Sequence, residues 1–77
     1  MGSIRIKEKL MAIQKTADYL IIKTKNQKKR DFYLKVYNKA VFKLKHFFNF
    51  ECTNYNNLYW YEIKFVSKDY LRKFLDT

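Results

Sequence analysis

Residues 31–48, DFYLKVYNKAVFKLKHFF, can be read as one helix or as two strands, and the fold turns on that choice. Read as a helix at about 100° per residue, Phe32, Tyr33, Val36, Tyr37, Ala40, Val41, Leu44, Phe47 and Phe48 share one half of the wheel. Lys35, Asn38, Lys39, Lys45 and His46 take the other half. Read as strands, Phe32, Leu34 and Val36 alternate with Tyr33, Lys35 and Tyr37, and a second run from Phe42 to His46 follows a turn at Asn38-Lys39. The many β-branched and aromatic side chains favour strands. The turn lacks glycine, however, and tight hairpin turns need a positive φ that lysine supplies badly. One helix explains more positions, with Leu34, Phe42 and Lys43 as misfits, and helix is the expectation.

Upstream, Ile6, Leu10, Ile13, Ala17 and Leu20 are spaced by four and three residues, which predicts a helix over 4–23 with one buried stripe widened by Met11 and Ile21. Ser3 could cap its first turn. No apolar residue falls between Thr24 and Arg30, so this stretch reads as a linker or helix start with Asn26 as its cap. Downstream, residues 47–66 hold two strand-like runs around the Asn-rich turn from Asn54 to Asn57. Tyr59, Tyr61, Ile63 and Phe65 would form one face of the second run, with Trp60, Glu62 and Lys64 on the other. Ser67 then caps a short helix whose stripe is Tyr70, Leu71 and Phe74.

The expected fold is therefore α+β: a long N-terminal helix, a second helical segment, an antiparallel β-hairpin and a short C-terminal helix. That order suits a winged-helix-like arrangement. The alternative, helix, three strands, helix, has the element order of double-stranded RNA-binding domains, but after Ser67 the chain offers only Lys68 and then Asp69 where such a domain carries a lysine cluster.

The chain of 77 residues should form a single small basic domain, residues 1–77. Its one cysteine, Cys52, allows no internal disulfide, and Cys and His are too few for a structural zinc site. No secretory signal or membrane-length apolar run is apparent, which predicts a cytoplasmic protein with no membrane partner. With Gly2 as the single glycine, a phosphate loop is excluded. His46 and Cys52 are the side chains best suited to neutral-pH chemistry, yet a lone histidine on a lysine-lined face and a lone cysteine among aromatics read as structural. No catalysis and no cofactor are expected.

Charge is the strongest functional signal. Net charge is +10, and residues 1–46 carry 13 basic and 3 acidic side chains against 4 of each in residues 47–77. An A·T-rich coding sequence would raise lysine and asparagine, but it does not explain why acids are scarce in one part alone. Like charges this dense repel, and phosphates would reverse that cost while releasing counterions. The expected function is a small nucleic-acid-binding protein, a DNA-binding regulator of transcription or accessory factor contacting DNA or RNA phosphates through Lys23, Lys25, Lys28, Lys29, Arg30, Lys35, Lys39, Lys43 and Lys45, and acting as a homodimer. The alternative is a viral or mobile-element interaction protein that inhibits a larger host enzyme through Tyr55, Tyr59, Trp60 and Tyr61.

Overall fold

The computed structural model of the protein describes residues 2–49 and 62–76, with side chains from residue 5. These form three helices: α1 (Gly2–Lys23), α2 (Gln27–Phe48) and α3 (Lys68–Asp76). No strand occurs among the described residues, which overturns the α+β expectation, its winged-helix form and the three-stranded alternative.

The helical reading of residues 31–48 holds because Tyr33, Val36, Ala40 and Leu44, spaced three and four apart, are the buried face of α2. Leu34 and Phe42, two of the three misfits, stand in solvent, and the third, Lys43, is partly buried. Asn26 caps the helix, its side chain accepting the Lys29 N–H at 3.2 Å. The far end runs two residues into the stretch that had been expected to open a hairpin, through Phe47 and Phe48. It stops at Asn49, which adopts the left-handed conformation (φ 49°, ψ 44°) and donates its backbone N–H to the carbonyls of Leu44 and Lys45. Asparagine tolerates that conformation better than most residues.

Against α2 lies α1, reversed by the three-residue turn 24–26. Leu10, Ile13 and Ala17 are buried as their spacing predicts, but so are Met11, Ala12, Gln14 and Thr16, so the middle of α1, residues 10–17, is covered almost all round, while Ile6, Tyr19 and Ile22 toward its ends are exposed. The helix starts at Gly2, which places Ser3 inside the first turn rather than ahead of it. The short helix α3 matches expectation: Ser67 Oγ accepts the Tyr70 N–H at 3.1 Å, and Leu71 is fully buried against Ile13, Ala17, Tyr33, Val36 and Ala40. It runs parallel to α2, with Lys68 and Arg72 beside Lys28 and Lys29 and its last carbonyls beside Lys39.

The segment before α3 explains the failure of the hairpin. Ile63 and Val66 turn inward while Phe65 is 54% exposed, a spacing no strand produces. Its backbone groups find partners on α1 side chains: Lys15 Nζ donates to the Ile63 carbonyl at 2.6 Å, and the Val66 N–H donates to Thr16 Oγ1 at 3.0 Å. Two backbone groups that a strand would commit to a ladder are thus satisfied by a helix. The rest of the expected hairpin, including its Asn-rich turn, lies outside the described residues. No helix among the described residues is long and apolar enough to cross a membrane.

Candidate nucleic-acid interface

Of the nine basic residues expected to meet phosphate, Lys23, Lys25, Lys28, Lys29, Arg30, Lys35 and Lys45 are exposed. Five of them, Lys23, Lys25, Lys28, Lys29 and Arg30, surround the turn between α1 and α2. Arg30 also braces that turn, its Nη2 donating to the Thr24 carbonyl at 2.9 Å. Lys35 lies two helical turns beyond Lys28 on the same edge of α2.

The other two are not fully exposed. Lys39 is partly buried, and its Nζ donates to the carbonyls of Phe74 at 2.8 Å and Leu75 at 3.3 Å. It therefore supplies a cation to the C-terminal end of α3, where the helix dipole favours one. Lys43 is also partly buried and, with Lys9, borders an apolar cavity of about 490 Å³ floored by Leu10, Ile13 and Phe74.

Sequence reasoning missed two further bases. A cleft of about 360 Å³ between the N-terminal halves of α2 and α3 is lined by Lys28, Lys29, Phe32, Tyr33, Lys68 and Arg72. Four cations from helices 20 residues or more apart in sequence thus converge, because α3 docks parallel to α2. The same parallel docking points both helix N-termini, each with a positive partial charge, toward one end of the bundle. The first turn of α2 contains no acid, whereas that of α3 contains Asp69. Lys68 and Arg72 are one helical turn apart, a spacing visible in the sequence, but they belong to its charge-balanced part and nothing local links them to Lys28.

An aromatic pair stands at the same end. The rings of Tyr19 and Phe65 meet with centroids 5.1 Å apart and planes tilted by 37°. Lys15 and Lys23 hold their ammonium groups 5.3 Å and 5.7 Å from the Phe65 and Tyr19 centroids. Between them on α1 lies Asp18, whose carboxyl is pushed above its ordinary value by partial burial.

For chemistry other than binding the described residues offer little. His46 stacks edge-on against Phe42 at 4.2 Å, and no group of three or more His, Cys, Asp or Glu side chains among the described residues could hold a metal ion. Cys52, and the expected partner-binding residues Tyr55, Tyr59, Trp60 and Tyr61, lie outside the described residues. No family model, curated protein or solved structure matches the chain.

Proposed function

We propose that the protein binds nucleic acid, DNA or RNA, through the end of the bundle where α1 finishes and α2 and α3 begin, and performs no chemistry on it. The observation that carries this reading is the convergence of Lys28, Lys29, Lys68 and Arg72 on one cleft. Cations held this close raise each other's electrostatic cost, and a phosphate run entering the cleft removes it while freeing condensed counterions. Lys25 and Lys35 extend the contact along the strand. With lysine outnumbering arginine 14 to 3, contacts to phosphate should outweigh bidentate contacts to base edges, so intrinsic sequence selectivity should be low.

The test is a fluorescence-anisotropy titration of labelled oligonucleotides at salt concentrations from about 50 to 200 mM, where log affinity should fall linearly with log salt. The triple variant Lys28→Gln, Lys68→Gln, Arg72→Gln should lower that slope by about two to three. Lys73→Gln, roughly 120° round α3 from the Lys68 and Arg72 edge and outside the lining of the cleft, should leave it within experimental error. No binding at the lowest salt, or a triple variant with the wild-type slope, would refute the assignment.

A further inference from the structure

Tyr19 and Phe65 carry an inference that rests on the nucleic-acid reading and sharpens it. Large aromatic rings normally leave water, yet Tyr19 is 45% and Phe65 54% exposed, and they pack on each other outside the core. Their position is fixed from below. Lys15 Nζ on the Ile63 carbonyl and Thr16 Oγ1 under the Val66 N–H hold the backbone on both sides of Phe65. Tyr19 is fixed by α1 itself.

Cations bracket the pair. Lys15, Tyr19 and Lys23 occupy successive positions four apart, so they form one row on α1 with the ring between two ammonium groups. Phe65 leads within three residues to Lys68, and Lys23 leads within five to Lys28. The rings and the cleft of four cations therefore lie toward a single end of the bundle.

We infer that Tyr19 and Phe65 form a stacking platform for unpaired bases, and that the ligand is single-stranded nucleic acid rather than a duplex. A duplex keeps its base faces inside its own stack and offers an exposed ring nothing to cover it. A single strand can turn a base onto the ring while its phosphates follow the neighbouring lysines, the pairing of aromatic platform and basic groove used in sequence-tolerant strand binding. Charge decides against an apolar protein surface as the occupant, because the exposed ammonium of Lys23 would have to be desolvated beside it. The ammonium of Lys23, exposed on the last turn of α1, is placed to move from the Tyr19 ring to a phosphate when a base takes its place.

The test compares the full chain on a labelled oligothymidylate of about 20 nucleotides and on a duplex of the same length, at one salt concentration. Wild-type protein should bind the single strand about tenfold or more tightly. Tyr19→Leu and Phe65→Leu, which keep apolar bulk and remove the π face, should each weaken the single strand by about fivefold to a hundredfold, with duplex affinity and salt slope unchanged. Phe65→Trp, a larger stacking face, should tighten it. Equal wild-type affinity for the two forms, or leucine variants that lose nothing or lose both forms alike, would overturn the platform while leaving nucleic-acid binding in place. Failure of the wild type to bind either form at about 50 mM salt would instead overturn the nucleic-acid reading itself. The wild-type ratio needs no variant, so a substitution that unfolds the chain leaves the inference testable.

Discussion

Lys39 holds the C-terminal end of α3: its Nζ donates to the Phe74 carbonyl at 2.8 Å and lies 5.0 Å from the centroid of the Phe74 ring. From α2 it thus supplies a charge-assisted hydrogen bond, a dipole interaction and a cation–π contact to a helix of nine residues. That helix carries Lys68 and Arg72 into the basic cleft, so under the proposed nucleic-acid reading Lys39 supports the interface without meeting phosphate itself.

Lys39→Met keeps the stem and removes the ammonium. It should cost about 1 to 2 kcal/mol by urea denaturation, because hydrogen bonds from a charged donor are lost at a partly exposed site. Lys35→Gln, at an exposed position, should stay within about 0.5 kcal/mol of wild type and should lower the salt slope by about one. The reverse pattern, with affinity following Lys39 and stability unaffected, would mean that Lys39 leaves α3 to reach phosphate.

Leu71 is the buried anchor of α3. Nine residues are too few for a stable isolated helix, so α3 persists through packing rather than propensity. Leu71→Ala should cost about 2 to 5 kcal/mol. For a chain of this length total stability is about 4 to 12 kcal/mol, so the loss is a large share. Hydrogen exchange should show α3 amides losing protection before those of α1 and α2, together with a fall in salt slope as Lys68 and Arg72 leave the cleft. Uniform loss of protection across all three helices would show that α3 does not open separately.

The two long helices were legible because each repeats its apolar spacing over several turns, enough for periodicity to outweigh the strand-like composition of residues 31–48. The hairpin was misread for a physical reason. Alternation at Ile63 and Phe65 imitates a strand, and nothing local reveals that Lys15 and Thr16, almost 50 residues earlier, take up the backbone groups a ladder would use. Asn-rich composition pointed to a turn at 54–57, while the residue that ends α2 in the left-handed region is Asn49. The lysine cluster at Lys25–Arg30 was visible as charge density. Its partners Lys68 and Arg72 were not, since only the parallel docking of α3 joins the two.

Asp18 gives the fold a pH dependence of definite sign. Partial burial raises its carboxyl above the ordinary value of 3.8, so the folded state disfavours the carboxylate more than the unfolded chain does. Below that ordinary value both states are protonated and no penalty exists. As pH rises through the window above it, the folded state holds the proton longer and stability falls. Asp18→Asn should therefore be more stable than wild type at neutral pH and equal to it at the acid end, with a flatter profile in urea titrations between. A variant less stable at neutral pH would show that the carboxylate is stabilised by its surroundings.

Thr16 connects the core to the segment that carries Phe65 of the Tyr19–Phe65 pair. It is buried, its Oγ1 donates to the Ala12 carbonyl at 2.7 Å, and the same oxygen accepts the Val66 N–H at 3.0 Å. Thr16→Val preserves shape and leaves that N–H without its acceptor, which should cost about 1 to 3 kcal/mol. Thr16→Ser keeps the oxygen and gives up a methyl group, at about 1 kcal/mol. The pair separates packing from hydrogen bonding: the Val66 amide should exchange faster in the valine variant and near its wild-type rate in the serine variant. Because Val66 follows Phe65, the valine variant should also lose single-strand affinity while duplex affinity stays constant. If both substitutions change Val66 exchange equally, the methyl group rather than the hydroxyl holds the segment, and the platform is positioned by the Tyr19–Phe65 contact instead.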